Sequence, residues 1–136
     1  MDFSNNRRPD LSMHQVHMSR DGECVSGYFF TPVLRLYWPA RGKDLVLEGS
    51  TIQTVGREKF SLLDFSDTPW HLYLSRHHAA FVCKIPQWYY EDYHATNPPF
   101  INGVQVKPGS ATLLNPGDVI RFTAMSDEFI FDPPQE

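Results

Sequence analysis

Beyond about Val33 the chain is written in short apolar runs rich in β-branched and aromatic residues. Clusters of Gly, Pro, Asn and Asp break these runs, which is the pattern of strands and turns. The runs predict strands over 33–37, 45–47, 51–55, 61–65, 79–85, 88–92, 112–114, 119–122 and 128–131. No amphipathic stretch at the helical period is long enough to predict a helix. Within 100–106, Asn102-Gly103 stands between apolar residues, and both residue types accept the positive φ of a two-residue type I′ turn, so a β-hairpin is expected there. Up to about Gly27 the chain is mostly polar and sustains neither period, which predicts a flexible N-terminal tail over 1–27 and a folded domain over 28–136. Many short strands with polar turns imply an all-β antiparallel sandwich, whose loops gather at its ends and are available for binding.

Composition narrows the picture. A length of 136 residues with 41% hydrophobic content suits one core and one domain. A formal net charge of −4 argues against a broad nucleic-acid or anionic-lipid surface while allowing a small basic pocket. Cys24 and Cys83 have no paired spacing and read as free thiols of a reducing compartment. No run approaches the length of about eighteen apolar residues that a membrane span needs, and the N-terminus lacks a signal peptide's order, so a soluble intracellular protein is expected.

Four short pieces carry the candidate chemistry: Gly56-Arg57 after a strand, Ser75-Arg76-His77-His78 before one, Thr96-Asn97, and Asn102-Gly103 in the hairpin. A later Asn115-Pro116-Gly117-Asp118-Val119-Ile120 follows them. In this order and at this spacing they resemble the forkhead-associated (FHA) domain over roughly residues 33–133. The resemblance implies an FHA/SMAD-like β-sandwich that is not an enzyme. It further implies a module that binds phosphothreonine peptides and mediates phosphorylation-dependent protein–protein interaction in signalling. A phosphothreonine brings a charge of about −1.5 to −2 and three acceptor oxygens, for which Arg, Ser and backbone N–H groups are suitable donors.

The resemblance assigns Arg57, Ser75, Arg76, Thr96 and Asn97 to the phosphopeptide and Tyr73 to specificity. It makes Gly56, His78, Asn102 and Gly103 structural, with His78 buttressing the binding loops. It also implies a preference for phosphothreonine over phosphoserine through a niche for the threonine methyl, with Ile101 and Val104 close in the chain to the Thr96-Asn97 loop. Because Tyr73 is not basic, an apolar or hydrogen-bonding residue is expected three positions after the phosphothreonine. The chain departs from the family pattern at Pro98-Pro99, where Gly-Thr is usual, and at Ala95, where Ser is common. The stretch from Arg57 to Ser75 is also longer than usual, and the extra length around 67–71 is expected to enlarge a loop beside the ligand groove.

Three other readings compete. An enzyme would use Ser75 or Cys83 with His77 or His78, yet the sequence offers no positioned base with a third orienting group, no Gly-rich phosphate loop and no nucleophile elbow. A metal site built from His71, His77 and His94 is disfavoured because neighbours on a strand face opposite ways. A degenerate FHA scaffold that binds partners independently of phosphate is the alternative function. No cofactor, metal, nucleic acid or membrane is expected, and the isolated domain is expected to be a monomer. Since FHA modules are usually attached to kinases, ubiquitin ligases or nuclear proteins, the resemblance also implies a longer parent protein, with a nuclear location favoured over a cytoplasmic one.

Overall fold

The computed structural model describes residues 10–20, 23–57 and 63–133, with side chains from Thr31 onward. The strands are β1 (Asp10–Arg20), β2 (Glu23–Trp38), β3 (Lys43–Glu48), β4 (Ile52–Val55), β5 (Ala79–Lys84) and β6 (Gln87–Asp92). They continue with β7 (Phe100–Ile101), β8 (Val104–Gln105), β9 (Ala111–Leu113), β10 (Val119–Arg121) and β11 (Glu128–Phe131). One sheet runs β1-β2-β11-β10-β7-β8, with β3 also on β2, and the other runs β4-β5-β6-β9. Every strand pairing is antiparallel, as the alternating sequence pattern implies. Among the described residues, helix is limited to two short 3-10 turns, Pro39–Arg41 and His71–Tyr73.

The period of 2 explains which side of each strand is buried. In β6, Trp88, Tyr90 and Asp92 point inward while Gln87, Tyr89 and Glu91 point outward. Between the sheets lies an aromatic cluster of Trp38, Phe65, Trp70, Phe122 and Phe129, whose neighbouring rings have centroids 4.9 to 6.4 Å apart. Burying each Phe contributes roughly 1.5–3 kcal/mol. Trp70 changes the picture of the long 57–75 stretch, because it is buried in this cluster and Thr68 Oγ1 donates to the Phe65 carbonyl at 2.7 Å. The added residues thus anchor in the core, and the turn His71–Tyr73 emerges from that anchor at a fixed place.

The expected strand over 61–65 is reduced to a parallel bridge between Val55 and Leu63, with 61–62 outside the described residues. At the N-terminus, Asp10–Arg20 pairs with Glu23 through Val33, so the expected boundary at residue 27 falls within β2. Residues 1–9 and 21–22 of the expected tail lie outside the described residues. A ladder is made by backbone groups, whereas alternation in sequence reports burial, so pairing can exist where no period is legible. The pairing of β2 with β3 begins only at Val33 and that with β11 at Leu36.

The hairpin β7–β8 turns at Asn102 and Gly103 with φ of 53° and 79°, the left-handed pair that a type I′ turn requires. Asn102 Nδ2 donates to Asp118 Oδ1 at 3.0 Å and its Oδ1 accepts from the Val119 N–H at 2.9 Å. Asp118 Oδ2 in turn accepts from the Asn115 N–H at 2.8 Å, so the Asn115–Asp118 turn and the hairpin are locked together.

Candidate functional site

At one end of the sandwich the chain leaves β4 at Gly56-Arg57, returns to β5 through 73–78, and leaves β6 through 93–99. The middle segment is the hub. Arg57 donates from its backbone N–H to the Ser75 carbonyl at 3.0 Å and from its Nε to the Leu74 carbonyl. On the other side, Ser75 Oγ accepts from the Thr96 N–H at 3.0 Å, and Asn97 Nδ2 donates to the Tyr73 carbonyl at 3.0 Å. Two long-range side-chain bonds therefore hold the third loop against the second.

The close approach of these loops explains Gly56. A Cβ there would lie 2.1 Å from the Arg76 carbonyl oxygen, a backbone atom that cannot swing away. Arg57, Arg76 and Thr96 are exposed and Ser75 and Asn97 half-buried, on the rim that these three loops form. Because Ser75 Oγ receives the Thr96 N–H, its own hydrogen remains available to donate outward. A guanidinium pair and a hydroxyl on one rim can together meet a dianion.

His78 lies beneath, fully buried. Its Nδ1 accepts from the Ser75 N–H at 3.0 Å, while Nε2 faces the Phe122 carbonyl at 2.5 Å. This pair of contacts fixes the neutral ring with its proton on Nε2. Burial lowers the His78 pKa, and the Phe122 carbonyl and Asp92 oppose that shift. The backbone of His78 also accepts from Tyr93 and donates to Val55, so the residue touches the second loop, the third loop and β4.

Asp92 belongs to none of the sequence motifs, yet it organises the third loop. Buried at the end of β6, its Oδ2 accepts the N–H groups of His94 at 3.1 Å and Gly109 at 3.0 Å, and its Oδ1 meets the Ala95 N–H at 3.5 Å. A short acid just after an alternating strand and before a turn is the available signal, since such a carboxylate readily accepts from backbone N–H groups nearby. His94 adopts φ of 56° and lies over Gly109, where a Cβ would come 2.6 Å from its ring.

Pro99 is buried and its carbonyl accepts from the Val106 N–H at 2.9 Å, so Pro98-Pro99 feeds the chain into the hairpin. Tyr73 is 45% exposed beside Leu72 at 69%, an apolar ledge next to the rim. Ile101 belongs to the core, and Val104 is 70% exposed on the hairpin. Cys83 is buried, and burial pushes its thiol pKa up, away from the thiolate a nucleophile needs. The side chain of Cys24 lies outside those described. Among the described residues no three His, Cys, Asp or Glu side chains gather in a way that could hold a metal.

Comparison with known proteins agrees with this geometry. A family profile described as FHA domain matches residues 53–123. Mycobacterium tuberculosis EmbR, solved in complex with a low-affinity phosphopeptide, is 26% identical with a TM-score of 0.63 over 76% of this chain and 25% of the EmbR chain. The FHA domain of an Arabidopsis thaliana hypothetical protein is 20% identical, with a TM-score of 0.63 over 77% of this chain and 88% of its own. The N-terminal FHA domain of S. cerevisiae Rad53p, solved with a phosphothreonine peptide, is 20% identical, with a TM-score of 0.57 over 73% and 90%. This chain thus spans a quarter of the EmbR chain and most of the two isolated domains. No curated protein sequence matches it.

Proposed function

This chain belongs to the FHA domain family, and from that premise we propose that its loop rim binds a phosphothreonine peptide and so docks a phosphorylated partner. The observation that carries the reading is the hub: Ser75 bonded at once to Arg57 by its carbonyl and to Thr96 by its hydroxyl. In this reading Arg57, Arg76 and the Ser75 hydroxyl donate to the phosphate, with Thr96 beside them. Asn97 spends one amide hydrogen on Tyr73 and keeps its carbonyl oxygen for the ligand backbone. Tyr73 and the adjoining ledge meet the residues that follow the phosphothreonine.

Gly56, His78, Asn102 and Gly103 act beneath the surface by holding the loops in register. The module performs no chemistry, and any catalytic activity would belong to a further part of a longer protein, as would the nuclear setting expected for it. Residues 28–136 suffice as the binding unit in this proposal, and 1–27 stand apart from it. The experiment is a calorimetric titration with a degenerate phosphothreonine peptide library and its unphosphorylated twin. Binding confined to the phosphorylated library supports the proposal, whereas equal binding of both would replace it with a phosphate-independent scaffold.

A further inference from the structure

The outer face of the β4-β5-β6-β9 sheet carries an apolar row that the loop site does not use. The strand registers place Ile52 opposite Val82, Val82 opposite Tyr89, and Tyr89 opposite Leu113, one residue from each strand on the side away from the core. Ile52 is 49% exposed and Leu113 39%, while Val82 and Tyr89 are half-buried. The adjoining row is Thr54, Ala80, Glu91 and Ala111, with Ala80 fully buried, Thr54 and Glu91 half-buried and Ala111 exposed. Lys84 Nζ closes the far end, 5.1 Å over the Tyr89 ring. At the near end, β6 continues as Tyr93, 42% exposed, beside a groove lined by Glu91, Tyr93, His94, Gly109 and Ala111.

Size decides what can cover this face. Four strands about 4.8 Å apart and residues rising about 3.4 Å each give a face of roughly 19 by 20 Å, on the order of 400 Å². A stable interface needs about 800 Å² from each partner, so a second copy of this chain could not be held by this face alone. An occupant already tethered nearby needs far less, because its second contact forms at high effective concentration. The face is continuous with the loop rim along β6, and from Tyr93 to Tyr89 is only about 14 Å.

We propose that this face is a second docking surface, taking from the same phosphorylated partner an apolar segment with a basic residue set against Glu91. The proposal rests on the phosphothreonine reading of the loops. The segment lies at least about five extended residues from the phosphothreonine, given the distance to be crossed. The apolar side chains cover Ile52, Val82, Tyr89 and Leu113, and the basic residue meets Glu91, whose carboxylate has no ion pair among the described residues.

The test compares degenerate phosphothreonine peptides of nine residues with peptides of twenty-five residues that carry the same core and randomised apolar and basic extensions. Long peptides with an apolar pair beyond the fifth position are expected to bind at least tenfold more tightly than short ones. The double variant Ile52→Glu/Leu113→Glu is expected to abolish that gain and leave short-peptide affinity unchanged, with circular dichroism confirming the fold. Should it unfold, Ile52→Ser/Leu113→Ser serves the same purpose. Glu91→Gln is expected to remove selection for the basic residue. Equal affinity of long and short peptides, or a gain that survives the variants, overturns the second surface while leaving the loop site standing. Failure of the short peptides to bind overturns the loop site, and this inference with it. Dimerisation of the domain through this face in sedimentation would also overturn it.

Discussion

At the scale of single residues, the site is a set of contacts around Ser75, and they differ in what their loss costs. Arg57 and Ser75 each offer a donor to a charged acceptor, a bond worth about 1.5–3 kcal/mol. Arg57→Ala and Ser75→Ala should therefore each weaken phosphopeptide binding by about tenfold to a hundredfold and leave the domain folded. Calorimetry on both variants checks this, and unchanged affinity in both would remove the assignment. Ser75→Ala also unties the Thr96 N–H, so it is expected to be the more damaging of the two. Gly56 acts differently, because its replacement presses a Cβ onto the Arg76 carbonyl. Gly56→Ala is expected to cost about 1–3 kcal/mol of stability in denaturant unfolding, the usual range for forced overpacking. A variant as stable as the parent would show that the loops can part without penalty.

At the scale of elements, His78 joins loops to strand as a neutral ring, and that makes the joint sensitive to acid. The unfolded chain protonates this histidine near its ordinary value of about 6.5, whereas burial holds the folded pKa lower. Below about pH 6.5 the unfolded state binds more protons than the folded one, so stability falls as pH drops through that window and is complete above it. Protonation would also set an N–H of the ring against the Ser75 N–H, breaking the bond that shapes the binding loop. Urea unfolding at pH 7.5 and 5.5 should show this loss in the parent and a smaller one in His78→Gln. Identical slopes would assign the acid sensitivity to other groups. The sequence made many elements legible, since the alternation in 79–85 and 88–92 reports their half-buried faces and Asn102-Gly103 fixes its own turn. It could not show that Trp70 turns inward from a polar stretch, because a lone aromatic has no period. Nor did it reveal Asp92, whose partners His94 and Gly109 include one seventeen residues away. The rim residues stood out through the order of their motifs, while the bonds that tie them to one another are a matter of tertiary structure.

At the scale of the whole molecule, a sandwich with its own core presents loops at one end and leaves the first strand at its margin. The ladder joining β2 to β3 starts at Val33 and that joining β2 to β11 at Leu36, so a protein lacking residues 1–27 should keep its melting temperature within a few degrees and its phosphopeptide affinity. An unfolded product by circular dichroism would show that the β1 pairing is required for the fold. The negative overall charge bears on the mechanism, because a chain at −4 attracts anions only through a local arrangement of donors. Matched phosphothreonine and phosphoserine peptides, titrated at two salt concentrations, put that to the test most directly. One buried methyl is worth about 0.8 kcal/mol, and a β-branched χ1 set in advance adds to it, so a several-fold or greater preference for phosphothreonine is expected at both concentrations. Equal affinities for the two peptides, falling together steeply with salt, would contradict a phosphothreonine pocket and leave only general anion binding.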